Sequence, residues 1–261
     1  MAFWYPTTKQ ELSELIDKFF VNAEKKFENK TDIKNLVGKI SGIVVPHAGY
    51  QYSGQIAADA YWILKKNLEK QKGKENINRK TAIIFGPSHY FYFRGILGYN
   101  KDFWQTPLGK IAVKKNFVEK TADIKQEHSI DNQIPFLQKI GIKKIMPICV
   151  GEITIEEAKE TAKKLAETLK QSVVVFSTDL SHFFSQQIAN KIDKQTIEVI
   201  ENLKIEEVNK INACGIYPLM ILLWFCKLGN LKLKLIEYKT SGDITGDFSR
   251  VVGYASFVIL K

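Results

Sequence analysis

Short apolar, β-branched runs alternate along this chain with segments whose apolar residues recur at helical spacing, and nothing else in the sequence restricts the fold as much. Residues 40–45 (ISGIVV), 81–85 (TAIIF), 144–150 (KIMPICV) and 173–176 (VVVF) are bounded by turn residues. Runs this apolar suit strands covered on both faces, the condition of a largely parallel sheet. Between them, residues 54–69 and 155–170 read as amphipathic crossover helices, the second opened by a capping box of Thr154 and Glu157. Thr8 with Glu11 opens an N-terminal helix to about residue 27, and residues 186–203 and 216–228 are later helices, the last closed by Gly229. Residues 94–113 have the Gly and Pro punctuation of a β excursion, and final strands at 232–238 and 250–259 bracket the loop SGDITGDF. The expected architecture is a single α/β domain over residues 1–261, with a central, largely parallel sheet flanked by helices.

Size and composition fit that expectation. A chain of 261 residues is long enough for one large core. It carries 38 Lys and Arg against 28 Asp and Glu, a net charge of +10. The excess is lysine scattered through helical stretches such as Lys163, Lys164 and Lys170, the pattern of a solvated face. Nucleic-acid binding would want arginines interleaved with aromatics, whereas arginine occurs only at Arg79, Arg94 and Arg250, so that partner class is not expected. Residues 65–80, dense in Lys, Asn and Glu, read as a surface excursion between a helix and a strand. Cys149, Cys214 and Cys226 are odd in number and lack C-x-x-C spacing, so a reducing compartment is expected. The N-terminus has no secretory pattern and residues 219–226, the longest apolar run, are too few to span a bilayer. A cytoplasmic protein with no membrane partner follows.

The chemistry gathers where strands end. VVPHAGYQYSG places His47 just after one apolar run, IIFGPSHY places His89 after a second, and VVVFSTDLSHF places Asp179 and His182 after a third. In an open parallel sheet, ligands bind outside the carboxyl ends of the strands. A lone histidine in a turn is usually satisfied by a backbone carbonyl, but three of the chain's four histidines in equivalent positions read as one site. Pro46, Gly49, Gly54, Gly86 and Pro87 suit tight loops that approach a ligand. Cys214, in NACGIYPL, sits in a break between helical patterns where a thiol can face a cleft, whereas Cys149 and Cys226 read as buried core. In EHSIDNQIPFL, Ser129 can cap a helix beginning near Ile130, and His128 reads equally as a capping or a pocket residue, so it stays outside the expected site. Asp243 and Asp247 are left outside it too.

Taken in order, PHAGYQYSG, GPSHY, EHSIDNQIPFLQ, STDLSHF, CGIYP and TSGDITGD with VVGYAS resemble the Memo family, also called AmmeMemoRadiSam system protein B, across residues 46–255. The resemblance implies a fold similar to the class III extradiol dioxygenases, whose non-haem iron is held by two histidines and a glutamate. It also implies a pocket of His47, His89, Asp179, His182 and Cys214. A cysteine, Cys214, then stands where the dioxygenases have an acidic ligand, which argues against ring-cleaving dioxygenation. On this reading His47, His89 and Cys214 are the metal ligands for one transition-metal ion, Fe, Cu or Zn. Asp179 and His182 are the acid–base groups, with the carboxylate fixing the imidazole tautomer.

Bacterial and archaeal relatives of that family are associated with an AMMECR1-type protein and a radical SAM protein, so these are the expected partners in a modification pathway. The expected function is a metal-dependent redox enzyme acting on a small-molecule or peptide ligand. A non-catalytic module binding such a ligand is the alternative. A zinc hydrolase is a third reading.

Overall fold

The computed structural model describes residues 4–71, 81–115, 117–168 and 172–261, and in it the four apolar runs form the centre of one sheet. The strands are β1 (Ile40–Val45), β2 (Thr81–Pro87), β3 (Ile96–Tyr99), β4 (Phe103–Thr106), β5 (Gly109–Val113), β6 (Thr121–Ala122), β7 (Lys144–Val150), β8 (Ser172–Ser177), β9 (His182–Phe184), β10 (Lys232–Thr240) and β11 (Val251–Leu260). The order β10-β11-β1-β8-β2-β7-β3-β6 sets β1, β8, β2 and β7 side by side and parallel. The flanks are antiparallel where β11 meets β1 and β10, and where β3 meets β7. The chain is therefore an α/β protein whose sheet is parallel at its centre.

The helices are α1 (Lys9–Phe27), α2 (Thr31–Lys34), α3 (Tyr50–Gln71), α4 (His128–Asp131), α5 (Ile134–Lys139), α6 (Ile155–Thr168), α7 (Gln186–Glu201), α8 (Ile216–Leu228) and α9 (Gly242–Thr245). Successive strand side chains point to opposite faces, and β8 shows the result. Val173 and Val175 pack with α1, α3 and α5, whereas Val174 and Phe176 pack with α6, α7 and α8. Helices thus cover both faces.

Several local expectations are corrected. The helix expected at 54–69 begins at Tyr50, so Gly54 is no loop residue: a Cβ there would fall 2.6 Å from Phe19 on α1. Gly86 and Pro87 belong to β2, and a Cβ on Gly86 would lie 2.4 Å from Ser129 Oγ. Both glycines permit close packing between elements. The residue that caps α4 is Glu127, whose carboxylate accepts the Ser129 N–H, so Ser129 is not the cap. Helix α8 ends before Gly229 as expected, but the left-handed turn that stops it is made by Asn230 (φ 49°). The 65–80 segment is helix as far as Gln71; the rest lies outside the described residues. Thr154 and Glu157 form the expected reciprocal box, with Thr154 N–H donating to Glu157 at 2.7 Å and Glu157 N–H to Thr154 Oγ1 at 3.2 Å. Among the described residues no helix is long and apolar enough to cross a membrane.

Candidate metal centre

Because β1, β8 and β2 are adjacent and parallel, their carboxyl ends release their loops at one edge. His47 lies two residues beyond β1, His89 two beyond β2, and Asp179 two beyond β8 between them. A third imidazole arrives from α4. His47, His89 and His128 each offer a ring nitrogen, and these donor atoms all lie within 4.8 Å of one another. Their ring centroids are 5.0 Å apart for His47 and His89, 5.3 Å for His47 and His128, and 4.4 Å for His89 and His128.

The surroundings fix which nitrogens face inward. His47 Nδ1 is 2.8 Å from Ser177 Oγ, and His89 Nδ1 is 2.8 Å from Glu127 Oε1, which leaves Nε2 of each ring for the cluster. A carboxylate behind a histidine is the usual support of a metal-ligating imidazole, since it fixes the tautomer and raises the ring's basicity. His128 Nδ1 is buried 3.5 Å from Glu127 Oε1 and makes no hydrogen bond, and buried polar atoms of that kind call for an explanation. Trp4 stacks flat on the His128 ring, centroids 4.1 Å apart, and holds it in place. Three imidazoles aimed at one point, with an orphaned donor among them, fit a borderline transition-metal ion such as zinc, iron or copper.

Burial favours the neutral form of two of these rings, His47 and His128. Burial, then the neighbouring His89, His128 and His182, hold His47 well below the ordinary imidazole value. His128 is pushed down to about 4, chiefly by burial and next by His89. Burial alone would raise Glu127, but hydrogen bonds from the His89 ring and backbone outweigh it and hold the carboxyl below its usual range. Neutral imidazole is the form that binds metal.

The other expected site residues fall around this cluster in distinct ways. Cys214 Sγ lies 3.2 Å from His47 Nε2 and accepts the Asp179 N–H at 3.2 Å, so it touches one histidine while the three-donor group forms without it. Desolvation and the adjacent Asp179 carboxylate push its thiol well above the ordinary value. Asp179 is 4% exposed, and burial pushes its carboxyl up to about 7. Its Oδ1 accepts the His47 N–H at 2.7 Å and its Oδ2 lies 4.0 Å from His47 Nε2. Asp179 serves the His47 loop. His182 opens β9 outside the three-histidine group, its pKa lowered by burial.

The residues that sequence reasoning left out are His128 and its neighbours in EHSIDNQ. Glu127 binds both the ring and the N–H of His89. Ser129 donates to Pro87 O, Asn132 to His47 O, and Gln133 to Pro46 O and Ser177 Oγ. This one segment therefore ties the loops after β1 and β2 to the end of β8. The available signal was the density of hydrogen-bonding side chains in a stretch running straight into the apolar IPFL.

Beside the cluster lies a cavity of about 380 Å³ with His89 and Cys214 on one wall. Comparison with known proteins agrees in placing the chain. The family model described as Memo-like protein matches residues 2–258. A MEMO1 family protein of Methanobrevibacter smithii is 38% identical across 98% of this chain and 96% of its own length. Further MEMO1 family proteins, from Methanocaldococcus jannaschii and Aquifex aeolicus, are 35% and 34% identical, each over at least 98% of this chain and 96% of the relative.

Proposed function

The chain belongs to the Memo-like family, and from that premise we propose that His47, His89 and His128 hold one transition-metal ion in a redox enzyme. The observation that carries this is the convergence of three imidazole donors within 4.8 Å at the edge where β1, β8 and β2 end. Bound there, iron or copper would supply Lewis acidity and electron transfer. The third donor on this reading is a neutral imidazole, where the dioxygenases have a carboxylate, so the centre keeps more positive charge and ring cleavage is not its chemistry.

The chain's own groups supply proton handling. Asp179, with its carboxyl near 7, holds or yields a proton at Oδ2 beside His47. Cys214 keeps its proton, its pKa raised by burial and by Asp179, and its sulfur lies 3.2 Å from His47 Nε2 beside the donor atoms. His182, at the rim, is a second proton carrier. The three free thiols suit the cytoplasm, and the expected AMMECR1-type and radical SAM proteins stay as proposed partners.

Metal analysis of protein purified without chelator tests the reading. Iron or copper near one per chain, lost in His89→Ala, supports it. Zinc alone would transfer the site to hydrolysis, and no metal would leave a binding module.

A further inference from the structure

The cavity beside the histidines has a wall chemistry of its own. Tyr90, Phe91, Tyr92, Phe93 and Tyr217 line it, and Glu152 is its acidic group. Tyr90, Phe91 and Tyr92 are 50%, 39% and 78% exposed; Phe91 stacks on Phe93 and Tyr90 meets His128 at right angles, and the exposed parts of these rings face solvent. Glu152 Oε2 accepts the Tyr92 hydroxyl, while Oε1 has no protein partner among the described residues. The Ser88 hydroxyl is already spent on Phe91 O, at 2.6 Å. No lysine or arginine lines the cavity among the described residues, although the chain carries 38 of them. Arg94 pairs with Glu152 through its backbone and keeps its side chain exposed, off the lining.

Each of these features selects the same ligand charge. Aromatic faces attract cations through the negative side of the ring quadrupole, and a carboxylate with a free oxygen accepts a charge-assisted hydrogen bond from an ammonium. An anionic ligand would meet electron-rich rings and a like charge, with no cation on the lining to receive it; Arg94, whose charge acts on the Tyr92 hydroxyl, lies off that lining. The volume suits a small molecule.

We propose that this cavity binds a small organic ammonium compound, its charged nitrogen against Glu152 Oε1 and the aromatic wall, its other end toward His89 and Cys214. The assignment names the substrate class of the centre proposed above and rests on that reading. It concerns the chain's own residues, so the preference is present before any metal is loaded.

Three probes of one shape decide it: tyramine, the neutral 4-ethylphenol and the anionic 3-(4-hydroxyphenyl)propionate, titrated calorimetrically into chelator-treated protein. Tyramine should bind on the order of tenfold tighter than the propionate, with 4-ethylphenol between them. Glu152→Gln should abolish the difference. Tyr92→Phe keeps both the carboxylate and the ring and should preserve it. Equal binding of the three probes, or a preference for the propionate, overturns the proposal. So does a loss in Tyr92→Phe as large as in Glu152→Gln, which would assign recognition to the phenol. Because these titrations contain no metal, an ammonium preference in a protein that takes up no iron or copper would sink the redox reading alone.

Discussion

Asp179→Asn should stabilise the protein above pH 7 and leave it nearly unchanged at pH 4. In the folded chain the Asp179 carboxyl is pushed from 3.8 up to about 7 by burial. The unfolded chain loses this proton near 4, the folded chain only near 7, so between those values the unfolded state binds fewer protons. Stability therefore falls as pH rises through that window. A shift of about three units at about 1.4 kcal/mol each gives a cost of about 4 kcal/mol, fully present above pH 7 and absent below pH 4. Against a total of about 5–15 kcal/mol for a typical domain that is a large fraction. Asparagine is nearly isosteric, and its Oδ1 can still accept the His47 N–H that Asp179 receives at 2.7 Å. The variant removes the charge and keeps the bond. Urea unfolding of chelator-treated wild type and variant at pH 4, 5.5, 7 and 8 reads the effect as a difference, in which groups common to both proteins cancel. A difference that stays flat across this range would refute the argument and return Asp179 to the status of an ordinary ionised carboxylate.

Three further outcomes are expected. Glu127→Gln, which removes the carboxylate behind His89, should weaken metal binding by about 10–100-fold, read by competition with a chromophoric chelator; unchanged affinity would deny Glu127 that role. Cobalt(II)-loaded protein should show no strong sulfur-to-metal charge-transfer band, since the three-histidine group forms without Cys214. A band that disappears in Cys214→Ser would put the sulfur among the ligands. Gly215→Ala places a Cβ 2.6 Å from Thr178, so thermal melts should show a loss of about 1–3 kcal/mol, and wild-type stability would mean that the Cys214 loop can move off β8.

The parts of the fold legible in the sequence are those where burial is written as continuous apolarity. The strands expected at 40–45 and 144–150 coincide with β1 and β7 because every residue of β1, and all but the first of β7, is buried. Helix α3 was harder at its start. Its first turn, YQYS, is polar by composition, and Tyr50 is nonetheless buried, with its hydroxyl donating to Asn132 O at 2.7 Å. His47 and His89 were found because a parallel sheet delivers loop residues to one edge. His128 was missed for the converse reason: it comes from a helix end, and the strand-end rule says nothing of helices that pack over the same edge.

The EHSIDNQ segment shows why such residues escape a reading based on polarity. Glu127, Ser129, Asn132 and Gln133 are each 1% exposed or less, although six polar side chains in seven residues read as surface. Buried polar groups of this density persist only when partnered, and these partners lie 38 to 87 positions away, at Pro46, His47, Pro87, His89 and Ser177. No local pattern encodes those distances. They also give His128 its meaning: a segment that binds both histidine loops and the end of β8 carries its own imidazole to the same point. Its Nδ1 is buried 3.5 Å from the Glu127 carboxylate and makes no hydrogen bond, so the ring is held by packing on Trp4 and not by a tether of its own.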